Sequence, residues 1–478
     1  MARYFKFKSL DDLRREAERL GTPLALQDDL SPLFQPISVG TRNVGNRLAV
    51  QPMEGCDGTR DGLPDELTFR RYERFGAGGA KLIWGEATAI SDEARMNPRQ
   101  LWIHGESVGP LARLLEDCRA AHQKSCGNTS DLLIGLQLTH SGRWGYRRPL
   151  IACRDPLLDP ATIDKSRKQP ISSDYPVLTD DELKSIEDQY VTAAKLTYQA
   201  GFDFIDLKQC HRYLLNELLA AHEHPGPYGG SLENRTRLIR NVIERIRNEV
   251  PGLLLASRMN AYDGIPFRQG ADGHGEPIAT NPKDVAAFTF GTQSHEPASE
   301  DISEPIQVAQ WLVEWGVSLL NITAGNPYAS PHFVRPAENP PIDGYDAAEH
   351  PLLGVARHFR LTKAIQQAVS VPVMGSGYSW LQDFAFNAGA ANVASGAVGF
   401  VGYGRGTLSH PDFANTLRET GKLTRKQVCR TFSYCTNLMR TKDHPLGQYP
   451  TGCPPFDKDA YGDIWKEAQQ KIAARNPK

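Results

Sequence analysis

Eight short apolar runs, separated by stretches of helical character, constrain this chain more than any other feature. They are Arg47–Met53, Lys81–Trp84, Leu132–Leu138, Phe202–Leu207, Leu253–Arg258, Ser318–Thr323, Val371–Met374 and Val398–Val401. Strands that alternate with helices pair in parallel through crossover connections, so the pattern implies consecutive βαβ units. Eight such units are the number that closes a barrel. The expected fold class is α/β, a (β/α)8 TIM barrel with long active-site loops and a short C-terminal extension. Some intervening helices have readable ends. One spans Asp180–Ala200, with Thr179 as N-cap and Gly201 as stop. Others span Leu232–Val250, ended by Pro251-Gly252, and Pro305–Trp315, ended by Gly316. Residues 1–30 read as a polar leader with one amphipathic helix candidate, Leu10–Leu20. Residues 31–415 read as the barrel, and 416–478 as an extension long enough to cover a barrel mouth or a subunit face.

Two connections exceed ordinary loop length: Ser141–Leu178 after the third strand and Asn260–Glu304 after the fifth. Loops beyond about 15 residues usually serve as lids or binding walls. Both are expected to wall the C-terminal face of the barrel, where such folds hold their active sites.

Composition removes several function classes. A content of 40% hydrophobic and 23% charged residues is ordinary for a globular enzyme. A net charge of −2 gives no electrostatic case for nucleic acid or an anionic membrane. No apolar run approaches the roughly 18 residues a membrane span needs. The opening residues Met1-Ala-Arg-Tyr-Phe-Lys lack an apolar secretion core, so a cytoplasmic location is expected. The eight cysteines show no disulfide-scaffold spacing and no Cys-x-x-Cys pair, so no metal is expected. His222-Glu-His224 lacks a third ligand and reads as a surface loop.

The chemistry concentrates at strand ends. The fourth strand runs out into Lys208, His211 and Tyr213, three side chains able to carry protons or hydrogen bonds. Beyond them, Tyr228-Gly-Gly-Ser-Leu-Glu-Asn-Arg opens a helix, with Ser231 as N-cap. The seventh and eighth strands end in Met374-Gly-Ser-Gly-Tyr378 and Gly402-Tyr-Gly-Arg-Gly406. These are the usual phosphate-binding positions of such a barrel. Glycines such as Gly377 and Gly404 let the backbone approach a phosphate, Ser376 adds a hydroxyl, and Arg405 can grip it as a fork.

Taken together, these motifs resemble the old yellow enzyme or NADH:flavin oxidoreductase family, in particular its dienoyl-CoA reductase-like branch. Leu33-Phe-Gln-Pro-Ile-Ser-Val-Gly40, Asn46-Arg47 and Gln51-Pro-Met53 are similar to the family's opening. Gln137-Leu-Thr-His-Ser-Gly-Arg143 is similar to its third-strand motif, and Arg258 ends the fifth strand as the family's flavin-binding arginine does. Val401-Gly-Tyr-Gly-Arg405 and His410-Pro-Asp-Phe413 resemble its last strand and the helix beyond it. The resemblance runs from about residue 33 to 415. It implies FMN, bound by Pro52, Met53, Gln137, Arg258, Ser376, Gly377, Gly404 and Arg405, with NADH or NADPH as reductant. It also implies a substrate polarised by the residues at 208 and 211 and protonated by Tyr213. Some relatives of this branch hold an iron–sulfur cluster on four close cysteines. The gaps here, five residues from Cys429 to Cys435 and seventeen on to Cys453, do not fit one.

Lys208 departs from the family, which carries an imidazole there. An ammonium recognises localised negative charge better, so an acidic or phenolic small-molecule substrate is the expected class. A salt bridge from Lys208 to Asp206 or Glu217 is the structural alternative. The leading reading is reduction of an activated C=C bond, with hydride from the flavin. An oxidative relative, such as an amine or alcohol dehydrogenase or a demethylase, is the alternative. A lyase using Lys208 as a Schiff base is the remote one. No separate dinucleotide fingerprint is present. A homo-oligomer is a possible assembly.

Overall fold

The structure is a computed structural model that describes residues 3–278, 281, 285, 287–293 and 299–475. Its centre is a closed barrel of eight parallel strands in sequential order. The strands are β1 (Leu48–Val50), β2 (Leu82–Ala89), β3 (Leu133–Thr139), β4 (Phe204–Leu207), β5 (Leu254–Tyr262), β6 (Leu319–Ala324), β7 (Val373–Gly375) and β8 (Phe400–Tyr403). Eight helices follow them in turn: α1 (Glu66–Ala77), α2 (Val108–Cys126), α3 (Asp180–Gln199), α4 (Arg237–Glu249), α5 (Ser303–Glu314), α6 (Pro351–Ala368), α7 (Ala385–Ala394) and α8 (Phe413–Thr420).

All eight expected strands are present, with shifted ends. β2 runs five residues past Trp84, through Gly85 and the buried carboxylate Glu86. A glycine followed by an acid looks like a strand stop. Here the bulge between Trp84 and Ala87 carries the strand on, and Arg71 of α1 neutralises Glu86 at 2.6 Å. The helix expected over Leu232–Val250 is divided at Thr236 into Leu232–Arg235 and α4. α4 buries Leu238, Ile239, Val242, Ile243 and Ile246, one helical stripe against the barrel. α3 starts in a capping box: Thr179 accepts from the Glu182 amide at 3.3 Å, and Glu182 returns to the Thr179 amide at 2.8 Å.

The barrel interior is sealed at its N-terminal end. A hairpin, Ile37–Val39 paired with Arg42–Val44, inserts Val39 and Val44 among Leu82, Leu133, Phe204, Leu319 and Phe400. Gly135 in β3 leaves room for the Phe204 ring, which would lie 2.3 Å from any Cβ there. Phe204 in turn meets Trp84 edge-on at 5.1 Å.

Above this apolar plug sits one buried carboxylate, Asp206. It accepts from Trp84 Nε1 of β2 at 2.8 Å, Gln137 Nε2 of β3 at 2.5 Å and the Arg258 amide of β5 at 2.6 Å. Burial pushes its carboxyl up to about 6, with those three donors opposing the shift. Asp206→Ala leaves three buried donors unpaired, each at a cost of about 1–3 kcal/mol. A urea titration should therefore show a loss of about 3 kcal/mol or more. A loss below about 1 kcal/mol would mean that the strands hold their register without it.

Candidate active site

The C-terminal end of the barrel opens into a cavity of about 230 Å³. Every residue expected from sequence to bind the cofactor or act on substrate lines this cavity. β1 leads to Pro52 and Met53, β3 supplies Gln137, and β4 leads to Lys208, His211 and Tyr213. Arg258 comes from β5, Ser376 and Gly377 from the end of β7, and Gly404 and Arg405 from the end of β8.

The backbone after β4 is bent to present its three side chains. His211 and Arg212 both adopt left-handed conformations, with φ of 66° and 59°. For non-glycine residues this costs roughly 1–2 kcal/mol each. The surroundings hold the bend in place. The Arg212 amide donates to Asn216 Oδ1 at 2.6 Å, and its guanidinium pairs with Asp155 and Asp263 at 2.5 and 3.1 Å. The His211 amide reaches Asn260 Oδ1 at 3.3 Å.

Lys208 joins neither acid that sequence offered it. Asp206 is occupied by strand donors, and Glu217 pairs with the buried Arg143 at 2.9 Å. The Lys208 ammonium lies 3.6 Å above the centre of the Tyr213 ring, with no acceptor among the described residues. Burial lowers its pKa, while the charges of Cys210 and Glu54 oppose that shift. His211 is kept neutral, first by burial and then by Arg258 and Lys208, and its buried Nε2 has no partner. Burial also holds Tyr213 firmly in its protonated form. Its hydroxyl is 3.0 Å from that of Tyr328, which is backed by Trp144 at 4.6 Å.

The cavity is also cationic. Arg405 donates Nη2 to Pro336 O at 2.7 Å, and Arg335 donates Nη1 to Thr436 Oγ1 at 2.8 Å. Arg405 Nη1 and Arg335 Nη2 are buried without partners. Burial, Arg405 and Arg440 together bring Arg335 down to about 10. Beside them Gly377 takes φ of 93°, and a Cβ on Gly404 would meet nothing nearer than 3.7 Å. Such donors and open backbone fit a phosphate, and the neighbouring polar side chains fit a flavin ring edge. Gln51 braces the end of β7: Nε2 donates to Gly375 O and Ser376 Oγ at 3.2 and 2.9 Å, and Oε1 accepts from Asn321 at 2.9 Å.

Sequence reasoning missed Glu54, Tyr328 and Arg335, all of which line the cavity. Glu54 stood beside the Pro-Met motif, whereas nothing marked the segment after β6 that carries Tyr328 and Arg335. Among the described residues, neither 141–178 nor 260–304 lines the cavity, and residues 279–280, 282–284, 286 and 294–298 of the second loop lie outside the described residues; residues 327–336 and the C-terminal extension line it instead. The extension's helix Tyr434–Arg440 contributes Cys435, Thr436 and Met439. The leader is also engaged: Glu338, three residues after Arg335, accepts from the amides of Arg3, Tyr4 and Phe5 at 2.6, 2.9 and 3.0 Å and from Trp380 Nε1 at 2.8 Å. His224 is not at the surface. It is 6% exposed, and its Nδ1 lies 2.6 Å from Ala152 O. Cys429, Cys435 and Cys453 line an adjoining cavity of about 270 Å³, yet no three His, Cys, Asp or Glu among the described residues are grouped to hold a metal ion. No described helix is long and apolar enough to cross a membrane.

Comparison with known proteins agrees with this geometry. Residues 32–286 match the model of the NADH:flavin oxidoreductase / NADH oxidase family. An NADPH dehydrogenase of Bacillus pumilus is 29% identical over 301 residues, covering 61% of this chain and 73% of the relative. The old yellow enzyme homologue of Zymomonas mobilis superposes with a TM-score of 0.58 at 22% identity, over 84% of this chain and 96% of that one. A 2-naphthoyl-CoA reductase, solved with 2-naphthoyl-CoA, gives a TM-score of 0.61 at 17% identity; the match covers 85% of this chain and 55% of that longer one. These two likenesses support the fold, and the family match goes further: the chain belongs to the NADH:flavin oxidoreductase / NADH oxidase family, the old yellow enzymes, and is an NAD(P)H-dependent flavin oxidoreductase.

Proposed function

We propose that the cavity binds FMN and that the enzyme uses NADH or NADPH to reduce an activated C=C bond in an acidic or phenolic small molecule. One observation carries this reading: a single cavity gathers unmatched guanidinium donors together with Lys208, His211 and Tyr213. Arg335 and Arg405 suit the dianionic phosphate of FMN, and Arg258, Gln137, Pro52 and Met53 line the same cavity. Ser376, Gly377 and Gly404 give the phosphate its close backbone approach. Bound FMN would supply the hydride chemistry that no side chain can.

The chain's own groups divide the remaining work. Neutral His211 and the Lys208 ammonium both lack protein acceptors, so they are free to donate to a substrate carbonyl. That bond strengthens as the oxygen becomes anionic, an oxyanion-type stabilisation. Tyr213 retains its proton at neutral pH and can deliver it to the carbon next to the carbonyl. The ammonium adds a preference for substrates that carry negative charge.

The purified protein should be yellow and release one FMN per chain on heating, identified by chromatography against FAD. Arg335→Ala and Arg405→Ala should each weaken FMN binding by about 1.5–3 kcal/mol, read by titrating the apo-protein with flavin. Unchanged affinity in both would move the phosphate elsewhere. In anaerobic stopped flow, Tyr213→Phe should keep wild-type flavin reduction by NAD(P)H and slow reoxidation by an enone by about 10²–10⁴-fold. If reoxidation is unaffected, Tyr213 is a wall residue. A flavin that a substrate reduces and no enone reoxidises would reverse the proposed direction.

A further inference from the structure

The cavity wall holds a carboxyl that the proposed chemistry does not use. Glu54 follows Pro52-Met53 at the end of β1 and faces the same space as Lys208. Its Oε1 accepts from Asn97 Nδ2 and, at 3.8 Å, from Cys56 Sγ. Neither Glu54 nor Lys208 forms an ion pair among the described residues. The other acids on that side are already matched: Asp57 and Glu86 share Arg71, and the Gly55 amide donates to Glu86 at 2.8 Å. Among the described residues, Lys208 is the unpaired cation that acts on Glu54. Tyr213, Tyr328 and Cys56, the other titratable groups turned toward it, are all held protonated by burial.

We propose that Glu54 takes up a proton whenever an anionic ligand engages Lys208, so that acids enter this site as an anion together with a proton. The inference rests on the reading of Lys208 as the anion-binding group. A ligand carboxylate that neutralises Lys208 takes away that counter-charge of Glu54 and sets a second anion beside it. With Glu86 behind, two adjacent carboxylates cannot both stay ionised at low cost. The proton goes to Glu54, which is half-buried in the wall and set between Glu86 and the ligand's anion. The free protein is poised for this, because burial, reinforced by Glu86 and opposed by Lys208, brings the Glu54 carboxyl up to about 7. The consequence is selectivity by charge: one anion is accepted with its proton, and a dianion is rejected.

An aromatic carboxylate such as 2-naphthoate stays ionised throughout the neutral range, so any proton taken up comes to the protein. Calorimetric titration of the FMN-bound enzyme in buffers of different ionisation enthalpy should show uptake approaching one proton at pH 8. Affinity should be flat below about pH 7 and fall up to about tenfold per pH unit above it. Glu54→Gln should abolish the uptake and flatten the pH dependence while keeping its contact with Asn97. In the wild type, an infrared difference spectrum should gain a protonated-carboxyl band on binding, a readout that needs no variant. Lys208 also titrates more easily than a free lysine; if the pH dependence persists in Glu54→Gln, its deprotonation is the cause and the inference falls. Absence of uptake or of the new band in the wild type overturns it as well. Lys208→Met at pH 6 separates the two claims. Loss of binding supports the anion site, and unchanged binding removes both it and the coupling built on it.

Discussion

The buried carboxylate of Asp206 is the constraint on which the rest of this barrel depends. It sits where the apolar plug ends and the polar face begins, and its three donors come from β2, β3 and β5 while it stands on β4. In a parallel strand pair a one-residue slip would turn every side chain to the opposite face. A carboxylate demanding donors from three other strands at once admits one register. That register sets Gln137 and Arg258 at the cavity wall and starts Lys208 two residues farther along β4. The same bonds therefore hold the barrel together and aim its site.

Around the rim, the charges divide into matched and unmatched sets, and the division is informative. Arg143 with Glu217, Arg212 with Asp155 and Asp263, and Arg71 with Asp57 and Glu86 are buried and paired. Buried pairs of this kind contribute little net stability, but losing one partner is costly, so they act as fixed joints. They hold the left-handed turn at His211 and Arg212 and the bulge in β2. The groups facing the cavity differ: His211 Nε2, Arg258 Nε, Arg335 Nη2 and Arg405 Nη1 are buried without partners, and the Lys208 ammonium meets the Tyr213 ring. Buried polar groups in a folded protein are mostly satisfied. Their gathering around one cavity marks where a ligand's acceptors belong.

The sequence made the barrel legible because apolar strands interrupted by helical periodicity are a local signal. The residues proposed to hold the cofactor and act on substrate were legible for a related reason: they sit at strand ends, within short motifs. The strand ends themselves were not, since Gly85-Glu86 continues β2 only with the help of Arg71 from another element. Glu54 was in plain view beside Met53, but its partners Asn97, Glu86 and Lys208 are far away in sequence. Lys208 showed the opposite failure. Its nearest acids in sequence, Asp206 and Glu217, are consumed by other donors, and only the fold reveals that competition. The expectation for the two long loops rests on length and on position at the active-site face, whereas Trp144 reaches the site only indirectly, behind Tyr328.

The unmatched arginines also explain why segments outside the barrel are needed. Arg405 is a cation the barrel itself provides, and Arg335 is brought beside it even though burial, and then repulsion from Arg405 and Arg440, lower its affinity for its proton. That placement is sustained from two sides. The leader's amides and Trp380 grip Glu338, which fixes the segment carrying Arg335 and Pro336, and Thr436 of the extension accepts from Arg335. Phe5 and Phe7 then pack the leader on Trp380, with ring centres 5.2 and 6.3 Å from it. A phosphate bound as proposed would relieve the repulsion between the two guanidinium groups. The leader and the extension would then support the affinity for that anion from a distance, through Glu338 and Thr436, without touching it.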